Sequence, residues 1–185
     1  MIDQVIQDLR QEFEGTIAAF RKDLARTRTG RATPALVENV VVDYYGARTP
    51  LIQLAGIAAP EPRLLVIQPY DKGALAAIEK AIHQSDLGLT PMNDGKIIRL
   101  PIPELTEERR REFVKHCRKV AEDFRVSIRN HRRDAIDMIK ALERDKEITE
   151  DDQRRGQEQV QKLTDEHIKQ VDDILAKKEA EIMEV

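Results

Sequence analysis

Apolar side chains recur every three or four positions from the start of the chain, at Ile2, Val5, Ile6, Leu9, Phe13, Ile17, Phe20 and Leu24, the spacing that places them on one helix face. The pattern predicts a helix ending near Gly30. A second series, Phe113, Cys117, Val120, Ala121, Phe124, Ile128, His131, Ala135, Met138 and Leu142, predicts a longer helix. It starts after Thr106, an N-cap residue followed by Glu107 and Glu108, whose charges suit the positive end of the helix dipole. The third series, Val160, Leu163, Ile168, Val171, Leu175 and Ile182, follows Thr149, which with Asp152 forms a capping-box pattern. At 1.5 Å per residue the three helices would measure roughly 42, 58 and 52 Å, so each can pack along most of its neighbours. Burying about ten side chains of the second stripe at ~1.5–3 kcal/mol each contributes too much for a marginally stable fold to leave in water. The stripes therefore read as a shared core.

The middle of the chain breaks this periodicity. All eight prolines lie between Pro34 and Pro103, and six of the eight glycines between Gly30 and Gly95. Val37 to Tyr45 is rich in β-branched and aromatic residues and stops at Gly46, which predicts a strand and a turn. Leu51 to Leu54 and Arg63 to Gln68 are two more strand candidates. Ala74 to Ser85, with Leu75, Ile78, Ala81 and Ile82 on one side, predicts a short helix ending before Gly88. Asn93, Asp94 and Gly95 then turn the chain into a last strand, Lys96 to Leu100. The expected fold is α+β: an elongated antiparallel three-helix bundle made of residues 1–30 and 105–185, with a small, mostly-β domain containing one short helix inserted at 31–104. Two chain crossings, at 30–31 and 104–105, would join them.

Composition narrows the class. With 185 residues, 41% hydrophobic and 35% charged, the chain can bury a core and is too apolar for intrinsic disorder. One cysteine, Cys117, makes no intramolecular disulfide and no cysteine-based zinc cluster, which fits a reducing cytoplasm. No apolar run approaches the ~20 residues needed to span a bilayer. A soluble cytoplasmic protein without a membrane partner is expected.

The net charge of −3 conceals a local asymmetry. Residues 105–146 carry thirteen cationic and nine anionic side chains, whereas residues 147–185 carry six and twelve. On a helical projection of the second helix, Arg111, Lys115, Arg118, Arg125, Arg129, Arg132, Arg133 and Lys140 fall within about one 100° arc, whose middle lies roughly 120° from the apolar series. A row of guanidinium groups on a rigid rod suits bidentate pairing with a phosphate backbone. The competing use of the same residues is solvated pairing with the acidic third helix. Arg26, Arg28 and Arg31 flank Gly30, which caps the first helix in the left-handed conformation, is a pivot for the inserted domain, or is both.

Catalytic signals are missing. Cys117 lies on the apolar face, and His83, His116, His131 and His167 show no metal-ligand spacing. His131 and His167 fall in helical core patterns, and Asp151 and Asp152 suit a helix start. There is no phosphate-cradling glycine loop, nucleophile elbow or distinct carboxylate pair. A non-enzymatic protein without metal or cofactor is expected.

Six stretches then stand together in order and spacing: Arg28-Thr29-Gly30-Arg31-Ala32-Thr33-Pro34, Tyr44-Tyr45-Gly46, Ser85-Asp86-Leu87-Gly88-Leu89, Leu105-Thr106-Glu107-Glu108-Arg109-Arg110, Arg129-Asn130-His131-Arg132-Arg133-Asp134 and Gln161-Lys162-Leu163-Thr164-Asp165. In these the chain resembles the bacterial ribosome recycling factor family over essentially its whole length. The family's fold, a long three-helix bundle with a small α+β domain inserted at a two-stranded hinge, agrees with the boundaries drawn from proline placement.

The resemblance implies a translation factor that enters the ribosome after peptide release, lies against large-subunit ribosomal RNA, and splits the subunits with elongation factor G and its GTP hydrolysis. It implies Arg132 as the main RNA contact, supported by Arg129 and Arg133, with Arg28 and Arg31 near the bundle end. Arg125 lies on the same stripe. It places the hinge at Gly30, Arg31, Glu104 and Leu105, and makes the inserted domain the part that elongation factor G pushes. A monomer with no DNA partner is expected. The chain departs from the family pattern at His131, Ile136 and Met138; the projection puts Met138 on the core arc and Ile136 in the basic arc. The alternative from another class is a cytosolic helical scaffold for a protein partner, which predicts exposed apolar surface and weak salt dependence.

Overall fold

The computed structural model describes residues 1–184. The chain divides into two compact units, one formed by Met1–Leu24 and the chain from Val114 onward, the other by Ala25–Phe113.

The first unit is built from α1 (Ile2–Ala25), most of α4 (Glu107–Arg144) and α5 (Glu150–Met183). Its core takes Leu9, Phe13, Ile17, Phe20 and Leu24 from α1, Cys117, Ala121, Ile128, Ala135 and Ile139 from α4, and Val160, Leu163, Val171, Leu175 and Ile182 from α5. Aromatic contacts tie α1 to both partners: the Phe13 ring centroid lies 4.9 Å from that of His167, and Phe20 lies 5.2 Å from Phe124. His167 is buried, and its Nδ1–H donates to the Leu163 carbonyl at 2.7 Å, so the imidazole enters the core with that donor satisfied. His131 sits at the core edge, 3.1 Å from Glu12 of α1.

Local chemistry sets the ends of the helices. Helix α1 stops at Ala25, five residues before the expected Gly30. After Leu24 the core-facing positions are Thr27 and Arg28, which offer no apolar face to bury. Gly30 is therefore not the cap of α1; at φ +82° it belongs to the connecting segment. Helix α4 closes with the Lys146 N–H donating to the Glu143 carbonyl and the Glu147 N–H to the Leu142 carbonyl, both at 2.9 Å. This is a Schellman arrangement with Lys146 in the left-handed position. Helix α5 opens on a complete capping box, Thr149 Oγ1 accepting from the Asp152 N–H and Asp152 Oδ2 accepting from the Thr149 N–H.

The second unit holds the β-hairpin β1 (Val41–Tyr44) and β2 (Ala47–Pro50), the single helical turn α2 (Leu51–Leu54), and the helix α3 (Leu75–Gln84). Its antiparallel four-stranded sheet has the order β3 (Ala55–Glu61), β4 (Leu64–Pro69), β6 (Ile98–Pro101), β5 (Met92–Asn93). Leu65, Ile67, Ile98 and Leu100 of the sheet bury against Ile78 and Ile82 of α3, with Val42 and Leu51 completing the cluster.

Several expected strands differ. The run from Val37 begins as a 3-10 turn, Pro34–Val37, because Pro34 fixes a turn conformation and the Val40 N–H donates back to the Val37 carbonyl. Leu51 to Leu54 is helical instead of extended: the Leu51 N–H is taken by the Val40 carbonyl and the Ala55 N–H closes on Leu51. That turn buries Leu51 and exposes Ile52. Strand β3, with its alanines, glycine and proline, has little intrinsic strand preference and exists through its register with β4; Pro60 is tolerated because β3 is an edge strand.

Candidate nucleic-acid interface

The expected single basic arc of α4 separates into two lines. Arg118, Arg125 and Arg132, seven residues apart, each reach across to α5. Arg118 donates to Glu179 at 2.7 Å, Arg125 to Asp172 at 2.6 and 3.0 Å, and Arg132 through Nε to Gln161 Oε1 at 2.8 Å. Residues seven apart on a helix return to nearly the same side, the side that meets a neighbouring helix. The other line, with Arg129 and Arg133, faces solvent. Arg129 is half exposed and donates to Glu122 at 3.0 Å. Arg133 is exposed and forms no ion pair among the described residues.

These environments decide what each arginine can offer an anion. The Arg125 side chain is only 19% exposed and is held by Asp172 and Glu122. Burial pushes its pKa down, but the hydrogen bonds and charges of Asp172 and Glu122 outweigh that and leave it raised. Arg125 is thus a neutralised strut between α4 and α5, a correction to its expected place on an open stripe. Arg118 is likewise raised by its hydrogen bond with Glu179. Glu122 is lowered by hydrogen bonds from Arg129 and Arg125. Half-buried Arg132 faces no carboxylate directly among the described residues, and with the exposed Arg129 and Arg133 it forms a cationic cluster at mid-helix. Ile136 is half buried, and Met138, expected in the core, is 59% exposed; Ile139 fills the core position instead.

The second unit carries its own cations. Arg28 is partly buried, its Nε–H has no hydrogen-bond partner among the described residues, and its pKa is pushed down by burial and then by the Arg109 charge. A half-desolvated guanidinium beside a like charge is short of negative charge, a condition an incoming phosphate relieves. Arg109 is itself paired with Glu112 at 3.0 Å. Arg31 is exposed and engaged in an interaction of its own.

Of the expected hinge residues, Gly30 packs beside Leu105: a β-carbon there would stand 3.7 Å from Leu105 Cγ. Leu105 is buried, and Glu104 pairs with Arg63 at 2.9 Å. Just inside each crossing the chain is tied to the β3–β4 turn, the Ala32 N–H donating to the Pro62 carbonyl at 2.6 Å and the Ile102 N–H to the Arg63 carbonyl at 2.8 Å. Among the described residues no group of three His, Cys, Asp or Glu could hold a metal ion, and no helix is long and apolar enough to cross a membrane.

In the sequence Gln161 belongs to the Gln161–Asp165 stretch but carries no assigned function. The signal that could have found it is the seven-residue spacing of Arg118, Arg125 and Arg132, which points a set of arginines at α5 and asks what stands opposite each.

Comparison with known proteins agrees with this architecture. The ribosome-recycling factor of Carboxydothermus hydrogenoformans is 60% identical over 185 residues, covering all of both chains. That of Syntrophomonas wolfei is 56% identical over the same span. Among solved structures, a solution structure of ribosome recycling factor superposes with TM-score 0.78 at 41% identity, covering 100% of this chain and 98% of the other. A chain from models of the Thermus thermophilus ribosome recycling factor and the Escherichia coli elongation factor G bound to the E. coli post-termination complex gives TM-score 0.69 at 44% identity, with both chains fully covered. The family profile described as ribosome recycling factor matches residues 20–183, from the last turns of α1 to the end of α5, and the helical unit with its inserted sheet domain is thus that of a member of the ribosome recycling factor family.

Proposed function

We propose that this chain binds the post-termination ribosome through large-subunit ribosomal RNA and, with elongation factor G and GTP, separates the subunits. The observation that carries the reading is the full-length likeness to a protein described with elongation factor G on a post-termination complex. The solvent-facing cations of α4 support it. Among the described residues Arg132 and Arg133 supply guanidinium groups free of carboxylates, and Arg129 adds a third that donates to the exposed Glu122. Arg28 and Arg31 are the cations that the second unit contributes. Arg125 contributes by holding α4 against α5.

The chain itself catalyses nothing in this reading; GTP is hydrolysed by the elongation factor. The mechanical part is the pair of crossings. Residues 32 and 102 are fastened to the sheet domain by backbone hydrogen bonds, so rotation falls on the segments between Ala25 and Ala32 and between Ile102 and Glu107, which include Gly30, Arg31, Glu104 and Leu105. Two strands permit a swing while preventing free tumbling. The inserted domain is then the part on which elongation factor G pushes.

The test is breakdown of post-termination polysomes with the chain, elongation factor G and GTP, each omitted in turn. Breakdown only with all three supports the reading; breakdown without the chain, or none with all three, refutes it. Binding to purified large subunits should weaken steeply with salt. Arg132→Ala should weaken it further and lower the salt slope by about one unit on the duplex-DNA scale.

A further inference from the structure

The three arginines that reach from α4 to α5 do not meet the same chemistry. Arg118 and Arg125 end on the carboxylates of Glu179 and Asp172. Arg132, the third in the series, ends on the neutral side chain of Gln161, and only through Nε, at 2.8 Å. A carboxylate there would make the same interhelix tie more strongly. What the amide does differently is fix the guanidinium plane without cancelling its charge and without engaging its two terminal nitrogens. Those nitrogens are the end-on fork that pairs with two oxygens of a phosphate.

The amide is held in the required sense. Gln161 Nε2 donates to Asp165 Oδ1 at 2.8 Å, one helical turn along α5, while Oε1 accepts from Arg132. Turning the amide over would set its NH2 against the guanidinium and its carbonyl against the carboxylate, losing both bonds. Asp165 therefore dictates which end faces Arg132 and keeps its own negative charge one amide length away. We infer that Gln161, oriented by Asp165, is a positioning residue that presents Arg132 to a phosphate of ribosomal RNA, its neutrality being the property that matters. This rests on the reading that Arg132 meets RNA.

Binding of the full-length chain to purified large ribosomal subunits, measured across a salt series, tests it with the variants Gln161→Glu, Gln161→Met, Arg132→Ala and the double variant Arg132→Ala/Gln161→Glu. Gln161→Glu keeps the shape and adds charge to the tie with Arg132, but it replaces the hydrogen bond to Asp165 by two facing carboxylates, so its thermal melting is read beside the binding and should stay close to that of the parent chain. Its ribosome affinity should nonetheless fall about tenfold, the effect of one added unit charge across a short, partly solvated gap. Gln161→Met keeps the bulk and loses the acceptor, and should cost a smaller factor, about threefold. In the Arg132→Ala background Gln161→Glu should change affinity by less than twofold. An unchanged affinity for Arg132→Ala would overturn the RNA reading of that residue and this inference with it. Weakening by Arg132→Ala together with parent-like binding of Gln161→Glu would overturn the positioning role alone. Equal weakening by Gln161→Glu with and without Arg132 would also overturn it, because the carboxylate would then repel RNA directly.

Discussion

Gly15→Ala and Gly156→Ala add the same methyl group to the interior of a helix and should move stability in opposite directions. Glycine costs ~0.8–1.0 kcal/mol relative to alanine inside a helix, so each substitution begins with that gain. At Gly15, in α1, a β-carbon would meet nothing within 4 Å, and the full gain of about 0.8–1.0 kcal/mol should appear. At Gly156, in α5, the new β-carbon would stand 3.1 Å from Ile139 Cδ1 and 3.3 Å from Ile2 Cγ2, against the ~3.5–4.0 Å of an optimal carbon contact. Ile2 lies at the very start of α1 and can give way. Ile139 is fully buried and can retreat only by leaving its rotamer or shifting the helices, at ~1–3 kcal/mol. Gly156→Ala should therefore end about 1 kcal/mol less stable than the parent, the overpacking outweighing the propensity.

A double-mutant cycle isolates the contact. Ile139→Val deletes the Cδ1 methyl and alone should cost ~0.5–1.5 kcal/mol. In the Gly156→Ala background the new methyl takes up the vacated space, so the pair should be more stable than the sum of the single changes by about 1 kcal/mol. Urea unfolding followed by far-ultraviolet circular dichroism, with unchanged m values, reads all four species. Additivity within ~0.3 kcal/mol, or stabilisation by Gly156→Ala equal to that of Gly15→Ala, would refute the argument.

Thr149→Ala removes one half of the α5 capping box and should cost about 1 kcal/mol in the same unfolding assay. Asp152 is held below the usual aspartate range by the Thr149 hydroxyl and backbone N–H. Its contribution is present above the unfolded pKa of about 3.9 and is lost as pH falls through the lower folded value; in Thr149→Ala that acid-side slope should shrink. Asp94, lowered to about 2 by the backbone N–H groups of Ile97 and Lys96 and then by Arg99, stabilises by the same sign. The stability lost between about pH 4 and pH 2 should flatten in Asp94→Asn, as read by unfolding at several pH values. Tyr44, pushed up to about 12 by its hydrogen bond to Asp71, should ionise well above the ordinary tyrosine value of about 10 in an ultraviolet difference titration. Asp71→Asn should bring it back toward 10.

The last turns of α4 show what periodicity can and cannot decide. From Ala135 the next core residue can be three or four positions on, and the spacing admits both Met138 and Ile139. The structure selects Ile139, because its side chain lies over Gly156 of α5, where the missing β-carbon leaves room; Met138 turns to solvent. That choice depends on a residue of another helix, so no projection of α4 alone contains it. The separation of the basic arc has the same origin. A wheel places Arg125 and Arg129 only about 40° apart, yet one lies against Asp172 of α5 and the other, half exposed, against Glu122 of its own helix, and the position of α5 is what draws the line between them.

The sheet domain was less legible for a related reason. Stretches whose own residues carry the signal came through: the Val41–Tyr44 strand with its Tyr45–Gly46 turn at positive φ, the helix α3 with its apolar side, and the capped starts of α4 and α5. Those whose signal is supplied by a neighbour did not. Strand β3 is extended because β4 offers it a ladder, and Leu51–Leu54 coils because the Val40 carbonyl captures the first N–H of the segment. The expected site divides along the same boundary. That arginines of α4 could serve a phosphate is a property of their side chains and of helical spacing. Which of them remain available depends on the residue opposite, a carboxylate for Arg118 and Arg125 and an amide for Arg132, and the proposed division between struts and a phosphate-binding group rests on that one difference on α5.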